Sequence, residues 1–245
     1  MKSRYRIVAM AFLVFVLAMV LLRSASDVGA AGTGQITGTV KLEGPAPHQK
    51  PIDMSKDPSC GQTRGAATAT AENVVAGANG GLANVVVYIS QGLTGNEAAS
   101  SQAVSISQKG CQYVPHVVAV NVGQHMTVVN EDKTSHNIHP EPTQAGNSQW
   151  NKSQMAGSPP IDVTWASPEV AIPVKCNIHP WMRAFIAVVK GPYGVSNDSG
   201  AFKLDNVAPG TYTLTAWQET YGAQTQKVTV AAGKPATADF VFKAK

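Results

Sequence analysis

From residue 36 onward the chain is written in short β-branched runs, and no stretch after residue 31 keeps a 3.6-residue apolar period for three turns. ITGTVKL (36–42), ANVVVYI (83–89), AVSISQ (103–108), HVVAV (116–120), MTVVN (126–130), AIPVK (171–175) and FIAVV (185–189) are separated by Gly, Pro, Asn and Ser clusters such as ANGG and VGQ. Runs this short cannot bury a helical stripe, but each can present one apolar face to a facing sheet, so an all-β sandwich or barrel is predicted. Two polar or small-residue stretches, 61–81 and 142–160, read as long surface loops.

After residue 189 the pattern repeats on a smaller scale. GPYGVSNDSGAFKLDNVAPGTYTLTAWQ holds the turn clusters NDSG and APG between alternating strands, and KVTV (227–230) and TADFVF (237–242) follow. The expected organisation is therefore a signal segment at 1–30, an N-terminal strand and loop extension at 31–82, a larger sandwich at 83–190 and a small β-sandwich module at 191–245.

The N-terminus has a secretory pattern: Lys2, Arg4 and Arg6 precede an apolar run over residues 7–22, and the small-residue stretch DVGAAG follows. That run is shorter than the roughly 18–20 residues of a spanning helix, which favours cleavage after Ala30 or Ala31 and export, periplasmic or otherwise. A retained membrane anchor is the alternative. Cleavage would remove Lys2, Arg4, Arg6 and Arg23 from the 19 basic residues and Asp27 from the 15 acidic ones, leaving 15 against 14. No basic tract remains, and nucleic acid is not an expected partner.

Three cysteines survive export: Cys60, Cys111 and Cys176. In an oxidising compartment two are expected to pair and the third to be a reactive or ligating thiol. Cys176 sits in CNIHPWM (176–182) with His179 and Met182 at equal intervals, whereas Cys60 and Cys111 have no such neighbours, so a Cys60–Cys111 disulfide is expected.

A thiolate and a thioether in one site favour copper over zinc, magnesium or calcium. A second imidazole is available in VVNEDKTSHNIHP as His136, at the end of a predicted strand. Two imidazoles, one thiolate and a weak methionine form the blue-copper donor set. CNIHPWM lies between two apolar strands, so one connecting loop can deliver three of the four donors. Pro180 stiffens that loop, and Asn137 is placed to hydrogen-bond across to it.

NEDKTSHNIH followed by PVKCNIHPWMRAFIAVV resembles the copper signature of the cupredoxins, the plastocyanin-like and especially the amicyanin-like members with their short CxxHPxM loop. The resemblance covers roughly residues 83–190 and implies a Greek-key β-sandwich holding one copper ion per chain. It implies His136, Cys176 and His179 as equatorial ligands, Met182 as the axial one and His139 as a non-ligand. The implied role is a periplasmic carrier that passes single electrons from a donor to an acceptor redox protein, not an enzyme. Separately, DSGAFKLDNVAPGTYTLTAW resembles the carboxypeptidase regulatory-like, transthyretin-like domains, an accessory fold some of whose members bind carbohydrate. Small amicyanin-like carriers lack that module and the segment before residue 83, so their amine dehydrogenase partner is not implied.

Electrons are expected to pass at the His179 edge, with Trp181 forming an exposed or half-exposed docking rim. His116 and His139 are read as structural, and His48 and His125 as solvated. CxxC, HExxH, GxSxG and paired HxH motifs are absent from the sequence, which argues against thiol exchange, zinc hydrolysis, serine catalysis and multicopper oxidation. Copper delivery or sequestration, and an envelope- or carbohydrate-binding β-sandwich, stay as alternatives.

Overall fold

The computed structural model describes residues 32–64, 69–95 and 102–244. The expected signal segment lies outside these residues. Among the described residues no helix is long and apolar enough to cross a membrane. Thr33–Lys245 forms one compact unit.

In chain order the strands are β1 (Gly34–Glu43), β2 (Val86–Gln91), β3 (Val104–Lys109), β4 (Gln112–Val114), β5 (Val117–Asn121), β6 (Met126–Asn130), β7 (His136–Pro140), β8 (Lys152–Gln154) and β9 (Ile161–Val163). They continue as β10 (Glu169–Lys175), β11 (Arg183–Val189), β12 (Tyr193–Val195), β13 (Ala201–Val207), β14 (Gly210–Gln218), β15 (Gly222–Val230), β16 (Pro235–Thr237) and β17 (Phe240–Lys243). One short helix, α1 (Pro58–Arg64), follows β1. The all-β expectation holds.

The strands form four sheets: β4-β3-β6-β9, β5-β11-β10-β7-β8, β12-β2-β14-β15, and β13-β1-β16 with β17 also paired to β1. Period-2 alternation decides how they stack. On β5, Val118 and Val120 enter a core shared with Ile106, Met126 and Val128, while Val117 and Ala119 point the other way. On β11, Ile186 and Val188 join the first core, and Ala187 and Val189 the second face. That second face meets Val86 of β2, whose neighbours Val85, Val87 and Ile89 belong to a third core with Ile36, Val40 and Leu42 of β1. The inner sheets are thus apolar on both sides, as a strand buried on both faces must be.

Strand pairing departs from the order expected along the chain. β2, read as the opening strand of the larger sandwich, instead pairs antiparallel with β12 and β14 of the C-terminal segment. β1, read as part of a separate extension, pairs antiparallel with β13 and parallel with β16 and β17. The two sandwiches are interleaved in sequence: the C-terminal one is completed by strands from before residue 92. The expected loop 61–81 begins inside α1, which takes residues 61–64, and includes the buried Val74, and the expected loop 142–160 contains β8.

Candidate metal centre

The centre lies at the ends of two paired strands. β7 runs beside β10, with Val174 opposite Pro140 and Lys175 opposite His139. His136 stands at the start of β7, not at the end of the preceding strand, and Cys176 follows β10 directly. The loop 176–182 then returns the chain to β11 with Lys175 opposite Arg183. Backbone bonds close it: the Met182 N–H donates to the His179 carbonyl (2.9 Å) and the Cys176 N–H to the Met182 carbonyl (3.3 Å).

His136 Nδ1 and His179 Nδ1 are 2.9 Å apart, and the Cys176 Sγ is 3.9 Å from His179 Nδ1. One nitrogen from each ring and the sulfur lie within 4.8 Å of one another. His136 and Met182 are 0% exposed, His179 1% and Cys176 3%, and Met182 packs in the same core as Cys176. Each outer nitrogen is held by a carboxylate. His136 Nε2 donates to Asp132 Oδ2 and His179 Nε2 to Asp57 Oδ2, both at 2.8 Å.

Those two carboxylates decide what the pocket can hold. A neutral imidazole that donates from Nε2 carries its lone pair at Nδ1, so the rings aim two lone pairs at each other beside a sulfur. Facing lone pairs repel unless a proton or a metal ion sits between them; without a metal, a proton on His136 Nδ1 is the one that can bond the sulfur. Two imidazoles, a thiolate and a thioether suit a soft or borderline transition-metal ion such as copper, and the residues present fit it.

The surroundings favour the thiolate. Burial opposes ionisation of Cys176, but hydrogen bonds from His136 and from the backbone at Asn137, His179 and Ile178 outweigh it and hold the thiol below its ordinary pKa. For His136, burial pulls the pKa down, while the Asp132 and Cys176 bonds and charges pull it up and prevail. Asp57 is lowered to about 2, first by the bond from His179 and then by Ser59.

Asn137 spans to the ligand loop, its Oδ1 accepting from the backbone N–H of Asn177 (2.7 Å) and Ile178 (3.3 Å) and from the Cys176 thiol (3.3 Å). His139 bonds Asn177 rather than joining the donors. Pro180 is exposed in the loop. Cys60 and Cys111 are joined as a disulfide across 51 residues, leaving Cys176 free. His116 is buried against Glu219 at 2.6 Å, and His48 and His125 are exposed.

The expected docking rim has a different geometry. The His179 ring is covered rather than presented, since Asp57 lies on its outer nitrogen. Trp181 is half-buried: its indole N–H donates to the Cys111 carbonyl (3.1 Å), and its ring lies 5.1 Å from that of His179. The exposed residues of the loop are Asn177, Ile178 and Pro180.

Sequence reading missed Asp57 and Asp132. Asp57 stands in DPSC, where Asp before Pro is a helix N-cap signal, and its Oδ1 accepts from the Ser59 N–H (2.9 Å). Asp132 lies in the turn before β7 and also accepts from the Gly110 (2.7 Å) and Cys111 (2.8 Å) N–H groups.

Residues 183–243 match the carboxypeptidase regulatory-like domain family. That match includes β11, which pairs with β5 and β10 of the sheet that carries the candidate centre. No curated protein matches the chain by sequence. Among solved structures, an amicyanin variant in its Cu(I) form is 19% identical, with 42% of this chain and 98% of that one covered at a TM-score of 0.32. A purple cupredoxin from Nitrosopumilus maritimus is 18% identical, covering 35% and 99% at 0.29. A copper-containing nitrite reductase from Thermus scotoductus SA-01 is 22% identical at 0.33, and the chain spans 40% of its own length but only 25% of the enzyme's. What the site can do follows from its own side chains.

Proposed function

We propose that the chain is an exported carrier of single electrons, built round one copper ion held by His136, Cys176 and His179 with Met182 as the weak fourth donor. The observation that carries this reading is the convergence of two imidazole Nδ1 atoms and the Cys176 sulfur in a pocket where both Nε2 atoms are already committed to carboxylates. Copper held there supplies one-electron exchange between Cu(I) and Cu(II). The chain's own part is to fix the donors on rigid strand ends, keep water out and tune the sulfur through Asn137 and the backbone amides.

The disulfide fits an oxidising compartment such as the periplasm. Partners are a donor and an acceptor redox protein, each docking weakly over a small area at Asn177, Ile178 and Pro180. Burial of all four donors supports electron passage over delivery of the ion, because an acceptor's ligands would have to reach past them.

Loading the mature chain with Cu(II) is expected to produce intense visible absorption from the thiolate-to-copper transition. Cys176→Ser is expected to abolish that band while leaving the far-ultraviolet β signature. A variant that stays coloured would overturn the assignment.

A further inference from the structure

We propose that Asp57 is a positioning residue for this centre, delivered by a disulfide-tied helix turn, which fixes His179 with Nδ1 inward and seals the imidazole's outer edge from solvent. The inference rests on the copper reading above for its consequence, but not for the contact it invokes.

Asp57 uses both carboxylate oxygens. Oδ1 caps α1 through the Ser59 N–H at 2.9 Å, and Oδ2 accepts from His179 Nε2 at 2.8 Å. A helix cap needs one acceptor oxygen, and Ser or Asn would serve. The second oxygen reaches beyond the helix, to the ligand loop 122 residues away in sequence.

What brings so distant a residue onto the ring is the covalent tie. Cys60, one turn into the helix, is bonded to Cys111 in the turn between β3 and β4. The Cys111 carbonyl in turn accepts from Trp181, whose ring packs on His179. Asp57, Cys111 and Trp181 therefore enclose one imidazole. Against them lies a cavity of about 480 Å³ whose lining includes Lys56, Asp57, Ile178, His179, Pro180 and Trp181. Removing the Asp57 carboxylate would connect that cavity to the outer edge of the ring.

His136 is gripped in the same way by Asp132 on its Nε2, so the two rings are held with matching polarity. Outer partners of metal-binding imidazoles fix the ring and its tautomer, and losing one costs about 10–100-fold in metal affinity.

Asp57→Ser separates the two jobs, because serine keeps the cap and loses the reach to His179. The first readout needs no metal: in the nitrogen-15 spectrum of the copper-free protein, the His179 Nε2–H signal is expected to be protected from solvent exchange, and Asp57→Ser to lose that protection. The second is removal of Cu(I) by a bathocuproine chelator, expected to speed up by about 10-fold or more in Asp57→Ser. Cys60→Ser with Cys111→Ser, which frees the turn, is expected to reproduce both changes.

Unchanged protection and unchanged extraction in Asp57→Ser would overturn the proposal. The same result in the cysteine pair would overturn the disulfide's part in it. A protein that takes up no copper yet loses the protected signal on Asp57→Ser would refute the copper reading and leave the positioning contact standing.

Discussion

Interleaving predicts that the segment matching the carboxypeptidase regulatory-like family cannot fold alone. Residues 183–243 contain β11 to β17 but neither β1 nor β2, and β1 lies between β13 and the parallel strands β16 and β17. β1 contributes Ile36 (0% exposed), Val40 (0%) and Leu42 (6%) to the core beneath. At about 1.5–3 kcal/mol for each buried aliphatic side chain, its removal forfeits about 5–9 kcal/mol. That is comparable to the whole stability of a typical domain, about 5–15 kcal/mol. A fragment of residues 183–245 is therefore expected to give a collapsed nuclear magnetic resonance spectrum with no cooperative melt.

A point variant tests the same contact in the full chain. A Cβ built on Gly38 would lie 1.7 Å from the Ala238 carbonyl oxygen and 2.8 Å from the Phe202 ring. The obstruction is backbone, held on one side by the β1–β13 pairing of Gly38 with Phe202 and on the other by the Ala238 N–H bond to the Thr37 carbonyl. Overpacking of this kind costs about 1–3 kcal/mol or more. Near the upper figure the melting temperature of a chain this size falls by about 6–12 °C. Calorimetry on Gly38→Ala is the assay. A fall below about 2 °C, or a cooperative transition in the isolated fragment, would refute the interlocked arrangement.

Asp132→Asn is expected to weaken copper binding by about 10–100-fold, measured by competition with a chelator of known affinity, because His136 loses its Nε2 partner. It also leaves the Cys111 N–H, which shares that carboxylate oxygen with His136, unpaired in a buried turn, a cost of about 1–3 kcal/mol visible in denaturant titration. His116 gives a pH signature of its own. Burial lowers its pKa, but the Glu219 bond and charge, with Glu72 and the Arg183 carbonyl, raise it on balance above 6.5. A raised folded pKa means the pair's contribution is full below about pH 6.5 and fades as pH rises through the folded value. Glu219→Gln is expected to flatten that slope in melts run from pH 6 upward.

The short strands were legible because each has a half-buried face or bulky β-branched residues between turn clusters, and the ligand loop because three donors stand within seven residues. What escaped has physical causes. β2 is apolar on both faces, so its pattern cannot say which of two cores each face enters, and VVVY fits either sheet equally well. The pairing of β1 with β16 and β17 is parallel and spans some two hundred residues, beyond any local turn signal. β8 and β9 have three residues each, too few for a period. Asp57 was readable as a helix cap in DPSC, but nothing in a linear sequence says that its second oxygen meets His179.

The covered imidazole bears on which copper function the fold suits. Handing an ion to an acceptor requires incoming ligands to displace the outgoing ones, and here every donor is covered. Met182 is in the core, the Cys176 sulfur is approached by the His179 N–H and the Asn137 side chain, and both rings have their outer nitrogens on carboxylates. Displacement would have to begin by lifting a helix turn that a disulfide ties down. An electron needs only a short path and donors that stay in place. Asn177 and Ile178 carry the backbone from the buried sulfur to solvent in a single step along the chain, with their amides fixed to Asn137. The features that would obstruct exchange of an ion are the same ones that would hold its ligands steady, so under the proposed copper reading a slow chelator reaction together with fast electron exchange is the expected outcome, and fast chelation would refute it.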